Sequence, residues 1–220
     1  YLVIRDNNPV KLDVNKIILP IVLIFIAGVL IMATSFVIIS MREKKAKDAY
    51  NRRYEASIKD ELTGLYNRRG FEVDCEIIKK NNNLIEYVLI MMDLNGLKAA
   101  NDNIGHEAGD ELIIGASKCM DNAFSGLGRT YRIGGDEFVV CAFLDNAIDI
   151  PSMRNHIEAV TREYNIKYAA DKPYIIHTSV GVYPFVCSAT LEIGELLSHA
   201  DILLYEEKKH KRSILKSDYE

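Results

Sequence analysis

The sequence predicts a mixed α/β domain with a partly antiparallel sheet, carried behind a single membrane-spanning helix. Three observations lead there. An uncharged apolar run occupies residues 17–40. From Asp60 onward, helical and strand-length apolar patterns alternate to the end of the chain. Between two of the strand patterns stands Gly134-Gly135, a strong hairpin signal.

In the apolar run Ile, Val, Leu, Phe and Ala dominate. A helix needs roughly 20 such residues to cross the ~30 Å hydrocarbon layer. Pro20, Gly28, Thr34 and Ser35 are tolerated in a membrane helix, where neighbours satisfy any freed backbone group. A buried core helix would be shorter and would show a polar face. A cleaved signal peptide would have a shorter apolar centre and a small-residue cleavage site, whereas a charged helical stretch follows here. Arg42, Lys44, Lys45, Lys47, Arg52 and Arg53 come after the run, against Arg5, Lys11 and Lys16 before it. The positive-inside rule therefore places the C-terminal part in the cytoplasm. Residues 1–16 are expected to end an extracytoplasmic segment, and Tyr1 in place of Met leads us to expect an upstream sensor region. Residues 41–59 are charged helix formers with Ala46, Tyr50, Tyr54 and Ile58 at four-residue intervals, the stripe of a linker helix. One short stretch does not decide between a solvated helix and a dimeric coiled coil.

The cytoplasmic domain is expected over residues 60–220. A helix is predicted over 67–81, and 87–92 has the length and continuous apolarity of a buried strand. Residues 109–123 show the apolar face of a helix. Residues 129–133 and 137–143 are predicted strands about the Gly-Gly turn, whose glycines a primed turn requires at positive φ. A helix over 153–168, a strand over 174–183 and a helix over 193–209 complete one α/β domain. Cys75, Cys119, Cys141 and Cys187 are widely spaced among apolar neighbours. They read as reduced core thiols rather than a zinc site or disulfide framework. The formal net charge of −4 excludes a nucleic-acid-binding surface.

Chemistry concentrates in a few places. Gly134-Gly135-Asp136-Glu137 puts two carboxylates on a tight turn, where the missing Cβ atoms let a triphosphate approach the backbone. Asp93 closes the 87–92 strand, where a carboxylate is useless for packing. If that strand lies beside the hairpin, Asp93 and Asp136 can share a divalent cation, since Mg²⁺ favours one or two carboxylates plus phosphate oxygens. In the polar segment that follows, Gly105 and Gly109 are expected to keep part of it from being plain helix. Asp110 and Asn101 are the acceptor types that guanine donors require, His106 lies between them, and Lys98 can counter phosphate charge. Lys208 and Arg212, four apart, share a helix face suited to a triphosphate.

Five segments in one order resemble the GGDEF family of diguanylate cyclases: D-E-L-T-G-L-Y-N-R-R-G-F (60–71), D-L-N-G-L-K-A-A-N-D-N-I-G-H-E-A-G-D (93–110), Y-R-I-G-G-D-E-F (131–138), T-S-V-G-V (178–182) and A-D-I-L-L-Y-E-E-K-K-H-K-R (200–212). The resemblance implies an α/β (α+β) palm-like nucleotide-cyclase fold, with a central, mostly antiparallel sheet flanked by helices. It implies condensation of two GTP into cyclic di-GMP, which the apolar run places at the bacterial inner membrane. Asp93 and Asp136 match the acids that bind Mg²⁺ (or Mn²⁺), the Leu94 carbonyl matches a further ligand, and Glu137 stands beside them. Asp136 also matches the proposed proton acceptor for the ribose 3′-hydroxyl, and Lys98 a transition-state stabiliser. Asn101, His106 and Asp110 match guanine-nucleotide contacts, and Lys208 with Arg212 match triphosphate contacts. Each domain of the family holds one GTP, which implies a homodimer.

The sequence departs from the family pattern in places. Asn95 stands where many members carry a second Asp, and Lys211 and Ser213 replace a usual Gly and Asn around Arg212. The family's product-inhibition motif, R-x-x-D, falls on Ser125 and Gly128, so that primary inhibitory site is expected to be absent. The alternative function is a degenerate GGDEF module that binds GTP and relays a signal without catalysis; the intact turn, Asp93 and Lys98 favour the enzyme. Members with mixed dinucleotide products tend to lose the acid at the Asp110 position, which is present here.

Overall fold

The computed structural model describes residues 14–81, 85–143, 150–188 and 190–217, with side chains described in these stretches except at 14–17, 81, 150–151 and 212–217. The expected extracytoplasmic segment lies almost wholly outside the described residues. The chain divides into two compact units, Tyr1–Arg53 and Tyr54–Glu220.

The first unit is helical. Helix α1 (Val14–Ile58) runs 45 residues with Pro20 inside it, so the apolar run and the linker stretch form one unbroken helix. Every residue from 18 to 53 is exposed. Ile24, Phe25, Met32 and Phe36 are each at least 72% exposed. The hydroxyl of Thr34 donates back to the Leu30 carbonyl at 2.9 Å, which removes an unsatisfied polar group from the apolar surface. By length and composition this helix is able to cross a membrane.

The second unit is built on a five-stranded sheet in the order β1-β3-β4-β2-β5. Its strands are β1 (Tyr66–Asn67), β2 (Glu86–Leu94), β3 (Gly128–Arg132), β4 (Glu137–Phe143) and β5 (Thr178–Val186). Only β1–β3 is parallel; β3–β4, β4–β2 and β2–β5 are antiparallel. Helices α2 (Arg68–Asn81), α3 (Leu97–Asn103), α4 (His106–Ala123), α5 (Ile150–Tyr168) and α6 (Ile193–Ser217) flank it. Residues alternate between the two faces of a strand, and both faces of β2 are covered. Val88, Ile90 and Met92 pack with Leu112 and Ala116 of α4 and Ile157 of α5. Leu89 and Met91 pack with Phe71 of α2 and Leu196, Ala200 and Leu204 of α6. That double burial explains why β2 reads as a continuous apolar run. All four cysteines are free and buried. Burial raises the Cys75 thiol to about 12 and Cys119 to about 11, well into the unreactive range.

Several elements differ from the sequence expectation. β5 begins at Thr178 rather than at 174. The carboxamide of Asn165 takes the place of a strand partner for Ile176, donating to its carbonyl at 2.9 Å and accepting from its N–H at 2.8 Å. Pro184 is tolerated in β5 because this is an edge strand. Helix α4 starts three residues before Gly109, so that glycine is a helical residue and not a break. The real breaks are Gly96 and Gly105, whose φ of 81° and 127° begin α3 and α4. The turn between β3 and β4 is not a two-residue primed turn. It spans residues 133–136, with Ile133 N–H donating to the Glu137 carbonyl at 3.0 Å, and neither Gly134 nor Gly135 has positive φ.

Candidate functional site

Asp93 does not close its strand; β2 continues through Leu94, and Asp93 pairs in register with Glu137 on one side and Ser179 on the other. Leu94 N–H donates to the Asp136 carbonyl at 2.9 Å, which ties the acidic turn directly to the end of β2. The sheet therefore brings together Asp93, Leu94, Asp136 and Glu137, as the adjacency argument expected. Lys208 joins them from α6, its Nζ 2.7 Å from Asp93 Oδ2.

These charges act on one another. Burial pushes the Asp93 carboxyl above its ordinary value, with Asp136 and Asp201 adding to the rise and Lys208 opposing it. Burial likewise raises Glu137, with Asp136, Asp93 and Asp201 contributing. Carboxylates raised by burial and by neighbouring acids are stabilised by a cation among them. The donors are all oxygen, which suits a hard divalent ion. Among the described residues no three acidic, imidazole or thiol groups form a complete metal cage. An ion held here would share its coordination with phosphate oxygens, as Mg²⁺ commonly does. The residues fit such an ion.

At Gly134 the missing Cβ serves space rather than φ. A methyl on Gly134 would fall 2.4 Å from Glu137 Oε2, and one on Gly135 would meet nothing within 4 Å. Glu137 thus folds over Gly134, while Gly135 leaves the backbone open to approach. The remaining residues of the segment lie on α3 and α4. Lys98 is exposed on α3, and His106 and Asp110 are exposed on the first turns of α4. A methyl on Gly109 would fall 2.0 Å from Asn101 Oδ1, so the missing Cβ is what lets Asn101 lie against α4 beside Asp110. Asn95 is turned to β5, where its amide donates to Ser179 Oγ at 3.0 Å. Arg212 lies in α6, but its side chain is outside the described residues.

Sequence reasoning assigned no role to three residues here. Asp201 raises both Asp93 and Glu137; its spacing of two helical turns before Lys208 was the available signal. Arg132 donates to the Gly135 carbonyl at 2.8 Å and pairs with Asp60 at 3.1 Å. Asp60 in turn accepts from the Thr63 N–H at 2.9 Å and its hydroxyl at 2.7 Å. The D-E-L-T stretch thereby holds the acidic turn from behind.

The family model described as "Diguanylate cyclase, GGDEF domain" matches residues 57–213. The chain belongs to the GGDEF-domain family. Curated relatives include the diguanylate cyclase DgcP of Escherichia coli (strain K12), 33% identical over 159 residues that cover 71% of this chain and 46% of that protein. The diguanylate cyclase VdcA of Vibrio cholerae is also 33% identical, over 70% of this chain and 45% of its own. The chain thus spans about half the length of these relatives. Among solved structures, SiaD of Pseudomonas aeruginosa, a diguanylate cyclase in complex with its activator SiaC, superposes with TM-score 0.66 at 22% identity, covering 90% of this chain and 75% of that one. The coiled coil and GGDEF domain of DgcB from Caulobacter crescentus, in complex with c-di-GMP, gives TM-score 0.67 at 17% identity over 81% of this chain and 95% of that one. At these identities the structural likeness establishes the fold, which matches the palm-like, mostly antiparallel GGDEF architecture the sequence implied.

Proposed function

We propose that the chain is a membrane-anchored diguanylate cyclase that condenses two GTP into cyclic di-GMP and two pyrophosphate as a homodimer. The observation that carries this reading is the meeting of Asp93, Asp136 and Glu137 with Lys208, an acidic cluster and a cation drawn from three elements. When bound, Mg²⁺ or Mn²⁺ supplies neutralisation of phosphate charge, held by Asp93, Asp136 and the Leu94 carbonyl with Glu137 beside them. Asp136 accepts the proton of the ribose 3′-hydroxyl. The freed oxygen attacks the α-phosphorus of the GTP in the facing domain, a P–O bond forms, and the bond to the β-phosphate oxygen breaks to release pyrophosphate. Lys98 stabilises the charge that develops, while Lys208 and Arg212 hold the triphosphate. Asn101, His106 and Asp110 bind the guanine nucleotide. A second attack in the opposite sense closes the ring, which is why two domains face each other. The 17–40 stretch of α1 anchors the pair in the inner membrane with the catalytic domains in the cytoplasm.

The test is GTP turnover with Mg²⁺ by the chain in detergent, with products separated by chromatography and Asp136→Ala alongside. Cyclic di-GMP from the parent, with a loss of about 100-fold or more in the variant, is expected. No product at high protein concentration, with GTP still bound, would establish the signal-relaying module instead.

A further inference from the structure

Helix α6 carries a second set of charges beside Lys208, and it includes Lys211, the residue that stands where the family usually has Gly. Its Nζ lies 2.9 Å from Glu207 Oε1, donates to the Thr178 carbonyl at 3.2 Å, and lies 3.6 Å from Glu158 Oε1 on α5. Glu207 is 9% exposed and is paired also with Arg154 of α5. Its Oε1 accepts the Val180 N–H at 3.1 Å. A carboxylate this buried is stable only when paired and hydrogen-bonded, and here two cations and a backbone donor do so. The Val180 N–H sits on the edge strand, where no further strand among the described residues receives it.

We propose that Lys211 and Glu207 are positioning residues for the triphosphate grip of this chain. Together with Arg154 they form a clamp that fixes the C-terminal half of α6 against β5 and α5. The geometry makes the link to the site short. Thr178 and Val180, the two clamp points on β5, flank Ser179, the register partner of Asp93. Lys208 follows Glu207 directly and reaches Asp93 at 2.7 Å, and Arg212 follows Lys211. Further up the helix, a methyl on Gly181 would fall 2.3 Å from the Ala200 carbonyl, so the α6 backbone already lies against β5 there. The clamp supplies the second point of attachment, and two points fix the orientation of a rod where one does not. Lys211 therefore replaces the family glycine with an anchor, and the departure strengthens the grip instead of weakening it.

This inference rests on the reading that Lys208 and Arg212 hold the triphosphate of GTP. Its test measures GTP binding by calorimetry and steady-state turnover for the parent chain, Lys211→Met and Lys211→Arg in detergent, with thermal melting of each. Lys211→Met keeps the aliphatic stem and removes the charge. It is expected to weaken GTP binding and raise KM about tenfold, while kcat stays within about twofold and Lys211→Arg restores both. Parental affinity and KM in Lys211→Met would overturn the proposal. So would an equal loss in Lys211→Arg that tracks a lowered melting temperature, which would mark a general folding role. If the parent binds GTP without making cyclic di-GMP, the catalytic reading fails, yet the calorimetry still decides the clamp.

Discussion

Asp60 illustrates how much a single carboxylate outside the acidic cluster controls. Burial alone would raise its carboxyl, but hydrogen bonds from the Thr63 hydroxyl and N–H and the Arg132 guanidinium outweigh that and hold it below the ordinary 3.8. A group held below its unfolded value stabilises the fold above that value, and the stabilisation is lost as pH falls through the folded one. Asp60→Ala removes the acceptor of Thr63 and one of the two acceptors of Arg132, and is expected to cost about 1–3 kcal/mol at neutral pH. Melting curves from pH 7 downward should show the gap between parent and variant closing below the ordinary value of 3.8. A gap that is constant across that range would mean that the carboxylate charge plays no part. Because Arg132 also holds the Gly135 carbonyl, the same variant loosens the turn that carries Asp136.

At the scale of elements, the approach between β3 and β4 limits what position 128 can carry. A methyl on Gly128 would fall 2.4 Å from the Cys141 carbonyl oxygen and 2.8 Å from the Ala142 Cα, so no side chain fits there without moving the β4 backbone. Restoring the motif with Ser125→Arg and Gly128→Asp is therefore expected to destabilise the fold by about 1–3 kcal/mol through overpacking. It is not expected to create product inhibition. Initial rates measured with added cyclic di-GMP, alongside thermal melts, check both; inhibition gained at unchanged stability would contradict the steric argument. Gly128 is the register partner of Ala142, so β3 begins there, one residue before the sequence suggested.

For the whole molecule, the decisive feature of the proposed reaction is one nucleotide per domain. Ring closure needs two attacks in opposite senses, so a single chain holds only half of a working site under the proposed reaction. Reconstituted in nanodiscs at one chain per disc, the protein should make no cyclic di-GMP, whereas discs with two chains should make it. Equal turnover per chain in both preparations would rule out the homodimer. The apolar surface of residues 18–40, exposed throughout, is what places both chains in one bilayer in this scheme.

The sequence by itself determined the helix of residues 17–40, the order of most elements and the motif residues, because hydrophobic period, glycine pairs and local spacing are properties of neighbouring residues. Asp93 and Asp136 were legible as partners since a carboxylate on an apolar strand has no packing role. Their pairing through Glu137, the Lys208 contact and the role of Asp60 behind the turn were decided only by the tertiary structure. Each joins residues far apart in the chain, and no local pattern encodes such distances. The same holds for the start of β5, where an amide on α5 displaces a strand partner, and for Gly109 and Gly134, whose missing Cβ atoms matter for what packs beside them. In the sequence Lys211 is only a departure from the family pattern; β5 and α5, brought alongside α6 by the fold, turn it into an anchor.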